Sequence, residues 1–188
     1  DEHEERMVNL KMYYPFFILY DHSLTQFKEG RYEGIDMGYV TMSVLRFFIE
    51  ENNFNDMAVT YSQYEDFLSR LLYRDFNLEG QPEEIRELVQ YIFDKITNEG
   101  RPFAFDYFEP KSRSMKVGRT RLIESSYRDG EIVYQISSDG IAFYLDTKET
   151  KDESKISIQQ ILLEKMIRSK NFRGGVEVIR RINSEAVS

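Results

Sequence analysis

Apolar positions along the middle of the chain repeat with the period of a helix. From about Ser62 to Arg74, the residues Tyr64, Phe67, Leu68, Leu71 and Leu72 fall at i, i+3, i+4, i+7 and i+8, which places them on one helical face. A further helix is predicted from Pro82, whose fixed φ suits a first helical turn. Its stripe is Ile85, Leu88, Val89, Ile92, Phe93 and Ile96, and Gly100 and Pro102 stop it. Glu83, Glu84 and Glu87 lie in its first turns, where the helix dipole favours negative charge. Upstream, residues 38–51 carry Tyr39, Met42, Leu45 or Arg46, and Ile49 at helical spacing, Phe47 and Phe48 widen this apolar stripe, and Asn52, Asn53 and Asn55 are expected to end that element. Residues 12–28 read as one helix or two short pieces, with Pro15 near the start. Residues 1–11 are a polar lead-in or short helix, and Gly30, Gly34 and Gly38 break the chain before the next element.

At Gly100 the period changes from helical to alternating. Phe103, Phe105 and Tyr107 alternate with Ala104 and Asp106. Residues 117–127 and 131–137 read as an extended pair joined at Asp129-Gly130, a strong hairpin signal, with Ile132, Tyr134 and Ile136 on one face. A short helix over 139–146, a charged loop from Lys148 to Lys155 and helices over 157–170 and 172–186 follow. The expected fold is mainly α with a small antiparallel β wing: a lead-in over 1–35, a winged-helix-like domain over 36–146, and the start of a helical extension over 147–188. The connection from Arg74 to Pro82 is longer than the tight turn of a DNA-reading helix-turn-helix.

Composition narrows the function classes. The 188 residues are 41% hydrophobic and include 13 Tyr and 14 Phe, enough for a sizeable core. Cysteine is absent, which excludes disulfides, thiol nucleophiles and thiolate zinc sites and points to the reducing cytoplasm. No apolar run is long enough to span a bilayer, and the stretch Met12 to Tyr20 is short, contains Pro15 and lacks the basic lead of a signal peptide, so no membrane partner is expected. The chain begins at Asp1, and its last helical pattern is still running at Ser188, as in a fragment of a longer polypeptide. Net charge is −8, unevenly spread: residues 1–110 carry a net of −12 and residues 111–188 a net of +4.

Nothing in the residues supports an enzyme. Asp21-His22-Ser23 contains the residue types of a hydrolase triad, but adjacent side chains diverge where a triad must converge. The pairs Glu50-Glu51 and Glu83-Glu84 lie at helix ends, where solvated carboxylates are common, and no metal or cofactor is expected. Neither Gly118 nor Gly174-Gly175 has the context of a nucleotide-binding loop. One run is more specific. Lys111, Arg113, Lys116, Arg119 and Arg121 lie within an acid-free stretch at the entry to the hairpin, the place of a wing, and are candidate phosphate contacts on one exposed positive patch. Against sequence reading, the helix that would enter a major groove carries Glu83, Glu84, Glu87, Asp94 and Glu99 against Arg86 and Lys95. In the extension, Ile158, Ile161, Leu162 and Met166 together with Phe172, Val176 and Ile179 form apolar faces that are candidate interfaces, packed on each other and on a second copy of the chain.

The segment from Tyr134 to Leu145 resembles the end of many winged-helix domains, where a wing strand runs through a Ser-x-x-Gly turn into a helix. Together with Leu145-Asp146-Thr147-Lys148-Glu149, Ile156-Ser157-Ile158-Gln159-Gln160 and Ser169-Lys170-Asn171-Phe172-Arg173-Gly174-Gly175, it resembles the N-terminal region of bacterial kleisin-like proteins, the MukF and MksF group and the JetA subunits of Wadjet anti-plasmid defence systems. The resemblance covers about residues 36–188, its first part in element order only. It implies a non-catalytic subunit that bridges the heads of an SMC-type ATPase, recruits small winged-helix subunits and forms a homodimer. The competing expectation is a winged-helix transcriptional regulator that binds DNA through the basic wing.

Overall fold

The structure, a computed structural model, describes residues 2–11, 13–21 and 24–147. The expected helices over 157–170 and 172–186 lie outside the described residues. Those described are mainly α with two small antiparallel hairpins. In chain order they form α1 (Glu2–Lys11), α2 (Tyr14–Asp21), α3 (Met37–Ile49), α4 (Tyr61–Phe76), α5 (Pro82–Ile96), β1 (Phe103–Glu109), β2 (Ser114–Thr120), β3 (Ile123–Arg128), β4 (Glu131–Ile136) and α6 (Ser138–Asp146). No described helix is long and apolar enough to cross a membrane.

Local chemistry sets the helix ends. Asp36 caps α3 by accepting from the Tyr39 amide at 3.0 Å. Thr60 and Gln63 form a reciprocal capping box at the start of α4, and Asn77 closes that helix in the left-handed region. Pro82 opens α5. The apolar stripes expected on α4 and α5 are the buried faces of those helices, and the Tyr64 hydroxyl donates to the Val89 carbonyl at 2.8 Å, so this buried phenol has its own partner.

The stripe read on α3 is displaced by about a third of a turn. The buried face is Met37, Val40, Thr41, Val44, Leu45, Phe48 and Ile49, whereas Tyr39 is 47% exposed and Arg46 points to solvent. Two apolar phases coexist on this helix, and the one carrying the β-branched residues with Phe48 is the one that meets the core. Nor do the asparagines end the helix at once. A π-helical turn, Glu50–Phe54, follows, and the chain leaves it through Asn55 and the left-handed Asp56. The turn puts Asn52 to use: its amide donates to the Met57 carbonyl at 2.8 Å, and its carbonyl oxygen accepts from the Ile136 amide at 2.8 Å.

The extended region also differs from the expectation of one run over 117–127. That run breaks at Arg121-Leu122 into two strands. β1 pairs with β2 from Phe103↔Thr120 to Glu109↔Ser114, and β3 pairs with β4 from Ile123↔Ile136 to Arg128↔Glu131, across the expected Asp129-Gly130 turn. Both turn residues have positive φ, as a two-residue hairpin of this type requires. Gly118 is needed for contact, because a Cβ there would lie 2.4 Å from the ring of Phe105. Val59, in the α3–α4 connection, exchanges two backbone hydrogen bonds with Tyr134 and so forms a one-residue bridge on the edge of β4 that faces away from β3.

The lead-in shares this core. Leu19, Leu24, Tyr32 and Ile35 are buried with the helical stripes, Tyr13 and Phe16 pack on Phe143 of α6, and the Tyr13 hydroxyl donates to Asp146 at 2.9 Å. Ser137 joins α6 to the strands. Its buried hydroxyl accepts from the Gly140 amide at 2.8 Å and donates to the Arg121 carbonyl, and its amide donates to the Leu122 carbonyl at 2.9 Å. At Gly140 a Cβ would meet the Leu122 carbonyl oxygen at 2.7 Å and Ile136 at 2.8 Å. A backbone oxygen cannot swing aside, so Gly140→Ala is expected to destabilise the domain by about 1–3 kcal/mol, read as a lower urea midpoint at unchanged m-value. Ser137→Ala is expected to cost about 1–2 kcal/mol in the same measurement, because the cap and the bond to Arg121 are lost together.

Candidate functional site

The solvent side of α5 is acidic but largely satisfied. Glu84 accepts from Arg31 at 2.5 Å, Glu87 pairs with Lys28 at 2.7 Å, and Gln90 donates to Asp94 at 2.9 Å. Lys95 lies over the Tyr91 ring, 5.0 Å from its centroid. The loop before α3 therefore clasps the N-terminal half of α5 through two cations. Such surface pairs add little stability, but they hold carboxylates where a DNA-reading helix would need positive charge. The other acid pair is solvated or locally bonded: Glu50 pairs with Arg46 at 3.1 Å, and Glu51 accepts from Asn55 at 3.3 Å.

The basic run forms a hairpin of its own. Lys111 and Arg113 sit in the turn between β1 and β2, with Arg113 in the left-handed region, and Lys116 and Arg119 lie on β2. All four are exposed, and none makes a side-chain ion pair or hydrogen bond among the described residues. Arg121 is different: it is half-buried at the break between the hairpins and donates to the Gly100 carbonyl at 3.2 Å. The five do not form one patch. Opposed residues of an antiparallel pair share a face, so Lys116, opposite Tyr107, and Arg119, opposite Ala104, point to opposite sides of the ribbon.

Alternation also reveals a surface that the charge pattern hid. Phe105 and Tyr107 lie on the side of the ribbon that meets α2, where Phe105 makes an edge contact with Tyr14 at 6.0 Å. The other side presents Phe108 opposite Met115 and Val117 opposite Asp106. Phe108 is 58% exposed, Met115 62% and Val117 48%. Its sequence signal is the pairing of Phe108, out of phase with Phe103, Phe105 and Tyr107, with Met115 and Val117 two apart.

A groove of about 890 Å³ runs between α5 and the β3–β4 hairpin, floored by Tyr61, Phe93 and Tyr134 and rimmed by Asp94, Arg121 and Glu124. The rings of Tyr61 and Tyr134 each meet Phe93 edge-on, at 5.2 and 4.9 Å. The buried Tyr61 hydroxyl has no hydrogen-bond partner among the described residues. Burial, and then the nearby Glu65, Asp94 and Tyr134, push its pKa up to about 12. A phenol held that high keeps its proton at neutral pH.

Among the described residues no group of three or more His, Asp or Glu side chains is close enough to hold a metal ion. His22 and Ser23, from the triad-like tripeptide, lie outside the described residues, as do the interface candidates Ile158, Ile161, Leu162, Met166, Phe172, Val176 and Ile179.

Because the folded-state pKa of Tyr61 is raised, the folded protein holds its proton more tightly than the unfolded chain does. The contribution of Tyr61 to stability is fully present below pH about 10 and is lost as pH rises towards about 12. Thermal melts across that window are expected to show falling stability, with a shallower fall in Tyr61→Phe. An unchanged slope in the variant would show that Tyr61 ionises as a free phenol does.

Comparison with protein-family models, with curated proteins and with solved structures finds no match to this chain.

Proposed function

We propose that this chain is a non-catalytic interaction subunit, the N-terminal part of a kleisin-like component of an SMC-type DNA-handling complex that serves plasmid or phage defence or chromosome condensation. The carrying observation is the solvent side of α5. In a regulator that reads DNA through its third helix, this side would meet phosphates and base edges. Here it presents Glu83, Glu87 and Asp94, with Glu84 and Glu87 clasped by Arg31 and Lys28. Such a surface disfavours a polyanion and suits a protein. The order of elements supports the same reading: three helices, α3 to α5, then hairpins, then a Ser-capped helix entered through Gly140, as the resemblance implies. In this reading the partners are an SMC-like ATPase, small winged-helix subunits and a second copy of the chain, in the cytoplasm, and the ATPase chemistry resides on the partner.

The second reading, a DNA-binding regulator acting through the basic hairpin, is favoured by the four exposed cations Lys111, Arg113, Lys116 and Arg119, which have no carboxylate partner among the described residues. Salt dependence separates the two. If all four met phosphate, affinity for duplex DNA would fall roughly 10²-fold between about 50 and 200 mM salt. For the interaction subunit, fluorescence anisotropy with a labelled duplex is expected to show weak, sequence-independent binding, and light scattering is expected to show a dimer. Tight binding with the steep salt slope, together with a monomer at high concentration, would establish the regulator instead.

A further inference from the structure

The outer side of the β1–β2 ribbon has an apolar centre and cationic ends. Phe108, Met115 and Val117 form the centre, each about half exposed or more. Lys111 and Arg113 stand at the turn, and Arg119 lies toward the base, roughly 20 Å from Arg113 at the usual rise of a strand. Large apolar side chains gathered on one side of a two-stranded ribbon mark a contact surface, and these have no cover among the described residues. Lys28, Arg31, Arg46, Arg74 and Arg101 pair with carboxylates of this chain, whose net charge is −8, whereas Lys111, Arg113 and Arg119, like Arg70, Arg86 and Arg128 elsewhere, pair with none among the described residues. What sets the hairpin cations apart is that they flank the exposed Phe108, Met115 and Val117. We propose that this outer face docks a short amphipathic segment of a partner protein, apolar in its middle and acidic towards its ends.

Charge complementarity selects the acidic ends, and the trio Phe108, Met115 and Val117 selects the apolar middle. Nucleic acid would meet the same cations but fits the face less well. Asp106 lies on this side opposite Val117, in the path a phosphate backbone would take, and Lys116 is turned to the other side. A protein segment tolerates both features, since it needs opposite charge only at the ends of the contact. The inference rests on the hairpin's own geometry and holds whether or not the kleisin-like reading does.

The test is a random-peptide phage library panned against the full 188-residue chain, followed by anisotropy titration of the enriched peptides. Enriched sequences are expected to carry Leu, Ile or Phe flanked by Asp or Glu. Phe108→Ser with Val117→Ser is expected to weaken binding about tenfold or more, as is Arg119→Glu, while Lys116→Glu leaves it within about twofold. All of these side chains are exposed, and circular dichroism checks that each variant stays folded. The proposal is overturned if no peptide is enriched, if the enriched peptides lack acids, or if Lys116→Glu costs as much as Arg119→Glu. A short DNA duplex that binds more tightly than any peptide, and is indifferent to Phe108→Ser, would overturn it in favour of a nucleic-acid arm.

Discussion

A two-stranded hairpin is barely stable alone in water, and everything distinctive about this chain hangs on two of them. The constraint that resolves this is the anchoring of β4 to the helical core. Val59 exchanges both backbone hydrogen bonds with Tyr134, Asn52 accepts from the Ile136 amide, and Ser137 ties the end of the strand to Arg121 and Leu122. Two residues distant in sequence, Val59 and Asn52, and the adjoining Ser137 thus hold one strand, while Ile123 and Ile136 at the base of the hairpin join the core. The first hairpin inherits its position from the second, because the link between them, Arg121-Leu122, is the backbone that Ser137 grips.

That anchoring determines what the surface offers. It places β3–β4 beside α5 and so creates the aromatic-floored groove of Tyr61, Phe93 and Tyr134. It also sends the β1–β2 ribbon past α1 and α2, with one side covered and the other uncovered among the described residues. Charge follows the same division. Where helices meet loops, acids and bases pair within the chain, as Lys28 and Arg31 do with α5. On the ribbon the cations face solvent, beside apolar side chains that have no cover among the described residues. A protein that works by contact needs such an uncompensated surface, because a face satisfied from within gives a partner nothing to recognise.

Much of this was legible in the sequence because it depends on local chemistry. The stripes of α4 and α5, Pro82 at a helix start, the Asp129-Gly130 turn and the Ser-x-x-Gly entry to α6 all rest on neighbours within a few residues. The α3 stripe was legible at Leu45, Phe48 and Ile49 but misread at Tyr39, because two apolar phases overlap there, and only contact with α2, α6 and β4 selects Val40 and Val44. The basic run was visible as composition, yet its division between two sides of a ribbon was not, since that depends on which strand pairs with β1 and in what register.

The sequence by itself thus determined the stripes of α4 and α5, the hairpin turn and the acidic balance of α5, since period, capping and charge act over short distances. Only the tertiary structure decided that the extended run breaks at Arg121-Leu122, that Arg121 turns in to Gly100 while Arg119 lies exposed on β2, and that Phe108 stands opposite Met115 on a face with no cover among the described residues. These depend on long-range backbone pairing. A strand's side chains change face with every one-residue shift in register, so the composition of each face was undetermined until the pairing was set.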